Sequence, residues 1–141
     1  MERLRRKTDL DKVFQDGRRF YSPAANQSRH ADEPALAKAA SNARPWVVLQ
    51  ARRRRPEEAT HTGPRLAVIA GRQFQNAVAR NRARRLLRET CRTVLGENQG
   101  PWDLVLIARV DVLSVPFPER LSVLTSLLRQ AGVLSEEAAA A

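Results

Sequence analysis

Arginines are concentrated in one short segment of the chain, NAVARNRARRLLRE at residues 76–89. Five of them fall within the nine positions from 80 to 88, separated by one asparagine and by apolar residues. The arginine side chain carries a permanent charge on a planar group that can donate two parallel hydrogen bonds to one phosphate. This density of arginines indicates a surface that binds a polyanion, most often a nucleic acid.

The apolar residues of this segment predict the element that positions the arginines, a helix from about Asn76 to Gly96. At 100° per residue, one narrow sector of that helix carries the residues that would pack on a core: Ala79, Ala83, Leu86, Leu87, Thr90 and Val94. The opposite sector carries Asn81, Arg84, Arg85, Arg88 and Arg92, with Arg80 and Arg82 on its flanks. One or two such arginines would be an ordinary solvated face. So many with only Glu89 near their edge favour a nucleic-acid partner.

Residues suited to catalysis by the polypeptide itself do not cluster in the sequence. A nuclease acting alone needs grouped carboxylates for Mg²⁺ or a pair of histidines. The carboxylates are scattered, and the two histidines, His30 and His61, stand in segments without core residues. Cys91 is the single cysteine, which excludes a disulfide framework and a zinc site of the usual pattern. We expect no catalytic residue and no metal site in the polypeptide.

The remaining pattern predicts a small mixed sheet with three helices, in the order α-β-β-β-α-β-α. A helix at 8–17 would begin at an N-capping Thr8 and end at Gly17. The other predicted elements are an extended piece at 18–21, strands at 45–51, 65–71 and 103–109, and a helix at 118–132. Because the strand at 103–109 is apolar throughout, we expect it at the centre of the sheet. The fold class is an α/β (α+β) two-layer sandwich.

One domain accounts for the length of 141 residues, and we place it at 1–132. Residues 22–44 contain a single large aliphatic side chain and predict a flexible insertion. Residues 133–141 predict a disordered tail. A loop at 52–64 opens with four consecutive arginines at 52–55, to which the sequence assigns no role.

Overall composition agrees with a nucleic-acid partner. The formal net charge is +10, from 25 basic and 15 acidic residues, and only Lys7, Lys12 and Lys38 are lysines. An excess of arginine over lysine also arises from a GC-rich genome, and both origins stay open. No apolar segment follows Met1 as in a secretory signal, and the longest apolar run, at 104–108, is too short to cross a bilayer. We expect a cytoplasmic protein.

The arginine segment resembles the signature of the bacterial ribonuclease P protein component, with Ala77-Val78 before Arg80-Asn81-Arg82 and a basic-aliphatic run after it. Supporting stretches are similar to the family in the same order: LRRKTDLDKVFQDGRRF at 4–20, RLAVIAGRQFQNAV at 65–78 and DLVLIAR at 103–109. The insertion at 22–44 has no counterpart in the usual compact pattern. Arg72, Gln73 and Gln75 also depart from the family's serine-lysine-lysine run and glycine, although Arg72 keeps the charge.

This resemblance implies a sandwich with a left-handed βαβ crossover and a role as a subunit of a ribonucleoprotein. In that family the RNA removes the 5′ leader of precursor tRNA with Mg²⁺, which is bound mainly by the RNA subunit. The partners implied are the catalytic RNA and precursor tRNA, with no membrane and no small-molecule substrate. The catalytic RNA would contact Arg80, Asn81, Arg82, Arg84, Arg85, Arg88 and Arg92.

The leader would lie in a central cleft, for which the sequence offers aromatic residues among basic ones. Aromatic rings can stack on unpaired bases while arginines hold the backbone. The residues assigned to the leader are Phe14, Arg18, Phe20, Trp46, Arg65 and Arg72. For each aromatic ring, packing in the core stays an open alternative.

Two other functions belong to different classes. A ribosomal or general RNA-binding structural protein would share the charge and the aromatic content, but not the context of the arginine motif. A DNA-binding regulator would need a helix directly before the arginine helix, where residues 66–70 instead predict a strand.

Overall fold

The computed structural model of the chain describes residues 2–23, 45–55, 63–71, 74–97 and 100–134. Within these ranges the chain forms one five-stranded mixed sheet, three α-helices and one 3₁₀ helix. Their bounds are β1 Glu2–Arg3, α1 Lys7–Asp16, β2 Arg18–Tyr21, β3 Val47–Arg53, β4 Arg65–Ala70, α2 Ala77–Leu95, β5 Trp102–Ala108, the 3₁₀ helix Val110–Ser114 and α3 Phe117–Ala131.

The sheet has the strand order β1-β4-β5-β3-β2, so the apolar strand β5 is central, as predicted. It pairs parallel to β4, with Leu66 opposite Leu104, and antiparallel to β3, with Leu49 opposite Leu106. Because β4 and β5 are parallel neighbours, α2 is the crossover between them. The short strand β1 adds in parallel to the other side of β4.

The two faces of the sheet carry different helices. One face presents Leu66, Leu104 and Leu106 to α2 and α3, which together form the main core. The opposite face presents Ala67 and Val105 to α1, which covers part of it through a smaller cluster around Val13 and Leu4. The predicted sandwich of helices on one mixed sheet is confirmed, and α1 adds a partial layer on the second face.

All three predicted helices and the main strands are present, with ends shifted by one or two residues. Two elements had no sequence signal: β1, whose two residues are too short for a periodic pattern, and the 3₁₀ helix. The predicted N-cap at Thr8 is wrong. Residue Arg6 caps α1 without a side-chain hydrogen bond, and Thr8 lies inside the helix.

Gly17 ends α1 as predicted, for a reason other than a left-handed conformation. Its φ of −76° is accessible to any residue. A Cβ at this position would instead collide with the carbonyl oxygen of Val13 and lie 3.1 Å from that of Ala51. Glycine therefore lets the end of α1 turn directly into β2 against the neighbouring strand β3.

The predicted insertion and tail fall mostly outside the described residues, from 24 to 44 and from 135 onward. Both predicted boundaries need correction. Ser22 is buried, and its hydroxyl accepts a hydrogen bond from the backbone N–H of Val47 at 3.1 Å. Val133 packs in the main core, and its N–H donates to the carbonyl of Leu128 at 2.9 Å, so the packed domain extends beyond residue 132.

No helix within the described ranges is both long enough and apolar enough to span a membrane.

Candidate nucleic-acid interface

Helix α2 is anchored to the core along the side that the sequence predicts. Its N-cap is Asn76, whose side-chain oxygen accepts a hydrogen bond from the N–H of Ala79 at 2.8 Å. Ala83, Leu87 and Cys91 are fully buried in the main core. The predicted core residue Leu86 is only half-buried, because it lies at the edge of the sector that faces the sheet.

The arginines of α2 project from the remaining surface of the helix, and they differ in exposure. The exposed side chains are Asn81, Arg82, Arg85 and Arg92, whereas the half-buried ones are Arg80, Arg84 and Arg88. Arg84 donates from Nη1 to the Oδ1 of Asn81 at 3.2 Å. The helix thus presents guanidinium groups on its outer surface, and Arg80, Arg84 and Arg88 lie partly against the protein.

Two arginines near the N-terminus, Arg3 of β1 and Arg5 just after it, act on the same part of α2. Nothing in the sequence indicates this contribution. Burial lowers the pKa of Arg88, and the charges of Arg3, Arg84, Arg5 and Arg92 lower it further. Among the described side chains, the charges that act on this pKa all belong to arginines. Only the parallel pairing of β1 with β4 brings the N-terminus to this side, so helical periodicity could not find it.

The Nε–H group of Arg88 is a hydrogen-bond donor that an RNA phosphate could satisfy. The Nε of Arg88 is buried and has no acceptor within the part of the chain that the structure describes. A buried donor without a partner is costly, and a phosphate oxygen would satisfy it with a charge-assisted hydrogen bond. We name the set Arg3, Arg5, Arg84, Arg88 and Arg92 the arginine band.

The other flank of α2 is structural. Arg120 of α3 is buried and donates from Nη1 to the carbonyl of Val115 at 2.6 Å, with its Nε 3.4 Å from the Oγ1 of Thr90. Burial lowers its pKa, while the charge of Glu89 acts in the opposite direction. This arginine therefore joins α3 to α2 rather than extending the exposed surface.

A buried ion-pair network lies where β4 and β5 begin, on the face that carries α1. Asp103 accepts from Nη1 of Arg54 at 2.7 Å and from Nε and Nη2 of Arg65 at 2.8 Å each. Arg65 also donates from Nη1 to Asp9 of α1 at 3.3 Å. The bonds to Asp103 raise the pKa of Arg65. Two arginines and two aspartates make the network neutral.

Two aromatic side chains stand exposed on the face of the sheet that carries α1. Phe14 of α1 is 37% exposed and Tyr21 of β2 is 58% exposed. Tyr21 pairs with Val48, and Arg19 pairs with Gln50, so both β2 residues point to this face. With the amide of Gln50 turned so that its oxygen faces β2, it accepts from Nε and Nη2 of Arg19. This face of the sheet therefore carries two exposed aromatic rings and the guanidinium of Arg19.

The predicted leader residues do not meet in one place. Phe14 lies on the α1 side of the sheet, as the sequence suggested. Arg18 and Phe20 point to the opposite face, because they pair with Ala51 and Leu49, whose side chains belong to the main core. The Arg18 guanidinium lies 5.5 Å from the centre of the Phe20 ring.

Two further residues assigned to the leader are engaged within the protein. The assignment of Trp46 needs correction, because this residue is fully buried in the main core and presents no face to a base. All three guanidinium nitrogens of Arg65 donate to carboxylates of the neutral network, so its charge is balanced within the protein. Arg72 lies outside the described residues. Tyr21 and Arg19 were missed, because only the β2–β3 register shows which side chains share a face.

The described residues provide no grouped ligands of the kind that hold a catalytic metal. Across the described ranges, no three side chains of His, Cys, Asp and Glu come together. Burial raises the pKa of Cys91 to about 12, so the thiol is protonated and acts as a packing residue.

Comparison with known proteins places these features in a family. The sequence model of the family described as Ribonuclease P matches residues 1–132. The chain belongs to the ribonuclease P protein family. Arg80, Asn81 and Arg82 lie within the first two turns of α2, four to six residues after the N-cap Asn76, and Asn81 and Arg82 are exposed.

Individual relatives support the assignment over most of the chain. Each of the following is called a ribonuclease P protein component. That of Chloroflexus aurantiacus is 32% identical over 136 residues, which cover 94% of this chain and 78% of the relative. Those of Symbiobacterium thermophilum and Ruegeria pomeroyi are 40% and 44% identical, over 54% and 60% of this chain. The alignments span 66% and 67% of these two relatives, about two thirds of their length.

Solved structures show the same fold. The ribonuclease P protein of Staphylococcus aureus aligns with a TM-score of 0.66 at 18% identity, covering 96% of this chain and 99% of that protein. The protein from Thermotoga maritima aligns with a TM-score of 0.61 at 22% identity, covering 92% and 97%. The packing of α2 and α3 on one mixed sheet is therefore the fold of the family.

Proposed function

We propose that the chain is the protein subunit of ribonuclease P, which removes the 5′ leader of precursor tRNA and leaves the mature 5′ end. In this proposal the catalytic RNA performs the cleavage, and the polypeptide is an accessory subunit that binds RNA. The observation that carries the proposal is the arginine band within a chain of this family. The charges of Arg3, Arg5, Arg84 and Arg92 all act on Arg88, and no carboxylate among the described side chains offsets them there, an arrangement that a polyanion stabilises.

The catalytic RNA would bind α2 and the adjoining N-terminal strand. A folded RNA offers phosphates and shape rather than readable base edges in its helices, and arginines on a rigid helix suit such recognition. The exposed Asn81, Arg82 and Arg85 would contact it from the outer side of α2, together with Arg80. Arg84, Arg88 and Arg92 would contact it from the arginine band, with the buried Nε of Arg88 directed to a phosphate oxygen.

The leader of precursor tRNA would lie on the open face beside α1. Phe14 and Tyr21 offer ring faces for stacking on unpaired bases, and Arg19 offers charge to the backbone. This assignment keeps Phe14 from the sequence prediction and replaces Trp46 and Arg65. The side-chain exposure of Phe14 and Tyr21 and the register of β2 support it.

Mg²⁺ in this proposal is held mainly by the RNA subunit. Two carboxylates of the described chain, Asp9 and Asp103, already accept hydrogen bonds from arginines and do not fit a metal site. The polypeptide would instead neutralise RNA phosphates near the ions that the RNA binds. We place the holoenzyme in the cytoplasm, where transfer RNA is processed.

Reconstitution tests the proposal. The purified chain is combined with a bacterial ribonuclease P RNA and a precursor tRNA at a Mg²⁺ concentration at which the RNA alone cleaves slowly. We expect the protein to raise the rate of leader removal, and the protein freed of RNA to cleave nothing. An unchanged rate would contradict the subunit role, and cleavage by RNA-free protein at the holoenzyme's rate would contradict the assignment of catalysis to RNA.

A further inference from the structure

A second basic site lies in a cavity at the end of the sheet where β4 and β5 begin. The cavity has a volume of about 270 Å³. Its lining includes Arg18, Arg52, Arg53, Arg55, Trp102 and Ala131. We call it the arginine pocket. It contains three of the four consecutive arginines to which the sequence assigned no role.

The arginine pocket is separate from the Arg80-Asn81-Arg82 part of the proposed catalytic-RNA surface, at the start of α2. It is also separate from Arg3 of the arginine band, because β1 lies three strands from β3, which carries Arg53, a spacing of roughly 14 Å across the sheet. Strand β4 runs from Arg65 beside the pocket to Ala70, and the chain then enters the N-terminus of α2. Six strand residues at about 3.3 Å each place roughly 20 Å between the two ends of the sheet. The arginine pocket therefore cannot be an extension of the Arg80-Asn81-Arg82 surface.

The pocket is also separate from the open face beside α1. Arg53 pairs with Trp102 across β3 and β5, and Trp102 packs against the main core on the face that carries α2 and α3. Phe14 and Tyr21 lie on the opposite face of the sheet. A strand of RNA that lies along α1 would not reach Trp102 without passing around the end of the sheet.

Arg54 fixes the backbone that presents the pocket arginines. Its N–H donates to the carbonyl of Pro101 at 2.7 Å. Its guanidinium donates to the carbonyls of Trp102 at 3.0 Å and Gly63 at 2.6 Å, as well as to Asp103. Because Arg54 points inward, its neighbours Arg53 and Arg55 point outward from an anchored segment. Two cations held on a rigid segment lose little freedom when they bind a phosphate.

The described groups that line the pocket carry more positive than negative charge. Asp16 lies 3.8 Å from Arg52 and balances one charge. The C-terminal ends of α1 and α3 border the pocket, and each contributes about −0.5 charge. Arg18, Arg53 and Arg55 contribute three positive charges. Among the described groups that line the pocket, the remaining charge is roughly +2, and an anionic ligand would balance it.

We propose that the arginine pocket binds a phosphate of an unpaired RNA nucleotide, with the base against Trp102. A volume of about 270 Å³ is near the lower limit of about 300 Å³ for small-molecule sites, which suits one nucleotide. Arginine provides the bidentate grip on the phosphate, and the half-buried indole provides a stacking surface. This site would be an RNA contact beyond the two surfaces of the proposed function.

The two tryptophans of the chain make the proposal directly measurable. Trp46 is fully buried, whereas Trp102 lines the pocket, so a ligand in the pocket changes the emission of Trp102 alone. The full-length protein is titrated with a single-stranded uridine trinucleotide at low salt, and with inorganic phosphate as the comparison. Only the protein and a short RNA are present, so the result does not depend on assembly of a holoenzyme.

Two double variants with the same reduction in charge distinguish the sites. Arg53→Ala with Arg55→Ala alters the arginine pocket, whereas Arg84→Ala with Arg88→Ala alters the arginine band. We expect the trinucleotide to change the emission of the unaltered protein and of the band variant. The pocket variant should bind about tenfold more weakly, which corresponds to the removal of one charge-assisted hydrogen bond.

Three results would overturn the proposal: unchanged emission of the unaltered protein, an equal response to inorganic phosphate at the same concentration, or equal affinity of the pocket variant. The first two use the unmutated chain, so they stand even if the variant is poorly folded. Thermal unfolding of both variants shows whether they are folded. If the protein fails to raise the cleavage rate in the reconstitution experiment but binds the trinucleotide here, the subunit role is rejected and the proposed nucleotide site in the arginine pocket is retained.

Discussion

Asp103 holds two arginines near the start of β4 and β5, Arg54 and Arg65, in structural ion pairs. Its side chain and that of Arg54 are each 1% exposed, and it also accepts two hydrogen bonds from Arg65. A buried carboxylate between two guanidinium groups is stable only because its oxygens are satisfied. Without it, Arg54 and Arg65 would each lose a carboxylate partner inside the protein.

Substitution of this residue should therefore be costly. We predict that Asp103→Asn lowers the free energy of unfolding by about 3 to 5 kcal/mol, because it leaves buried charge uncompensated. The matched control is Asp16→Asn. Asp16 is 59% exposed and 3.8 Å from Arg52, and exposed pairs of this kind contribute about 0 to 1 kcal/mol. Chemical denaturation measures both, and equal effects of the two substitutions would contradict the role given to the network.

Phe14 distinguishes leader binding from core packing. At 37% exposure its ring is partly in solvent. We predict that Phe14→Ala weakens binding of precursor tRNA by the holoenzyme about 5- to 140-fold, as expected for about 1 to 3 kcal/mol of stacking per base. Binding of mature tRNA should be unchanged, since it lacks a leader.

Thermal unfolding is the control for this variant. A buried phenylalanine replaced by alanine costs about 3 to 5 kcal/mol. Destabilisation of that size, or an equal decrease in affinity for both tRNAs, would show that Phe14 is a core residue and that the leader lies elsewhere.

At the scale of the element, one side of α2 packs on the core and the opposite side carries the arginines. Ala83, Leu87 and Cys91 anchor one side, so truncating arginines on the other side leaves these core contacts in place. This separation makes the helix suitable for a test of electrostatic binding. Within the arginine band, Arg84 and Arg88 are chosen for this test because they are half-buried, so the protein already restricts their side chains.

We predict that Arg84→Ala with Arg88→Ala weakens binding of the catalytic RNA and flattens its dependence on salt. For each phosphate that the variant no longer binds, the log–log slope should decrease by about 0.7 to 0.9. Filter binding over a range of salt concentrations measures the slope. Arg129→Ala, in the last turn of α3, removes an exposed charge elsewhere and should leave the slope unchanged. If the double variant keeps both slope and affinity, these arginines form an ordinary solvated surface.

At the scale of the whole molecule, the ends of the segment from 24 to 44 are held together by the fold. Tyr21 of β2 pairs with Val48 of β3. The N–H of Ser22 donates to the carbonyl of Val47 at 3.1 Å, and the N–H of Val47 donates to the hydroxyl of Ser22 at 3.1 Å. A shorter connection can therefore join the same two strands.

We predict that deletion of residues 25–42 leaves the protein folded and able to bind the catalytic RNA. Loop-closure entropy changes slowly with loop length, so the shortened β2–β3 connection should have little effect on stability. Calorimetry of the deletion variant should show one cooperative transition. A non-cooperative transition would show that the deleted residues contribute to the packed structure.

Charge is also distributed at the scale of the whole molecule. The arginine band follows α2 and the β1 edge of the sheet, while the arginine pocket lies on the β3 and β5 side of the sheet. With a net charge of +10, the protein attracts polyanions from a distance, and we propose that RNA binds at these two places.

Helix α2, the central position of β5 and the family resemblance could all be predicted from sequence. Each depends on local spacing: a helix repeats every 3.6 residues, and an uninterrupted apolar run fits a strand covered on both faces. The arginine surface of α2 was predictable for the same reason, because backbone geometry alone places Arg84, Arg88 and Arg92 along one side.

The candidate site beyond α2 depended on tertiary structure. Trp46 and Phe14 have equally aromatic side chains, yet one is buried in the core and the other is partly exposed. Arg65 is neutralised by Asp103, which is 38 residues away in sequence. Arg3 joins the arginine band only through the pairing of β1 with β4. Strand register and long-range packing decide these contacts, and neither follows from the spacing of residues within one segment.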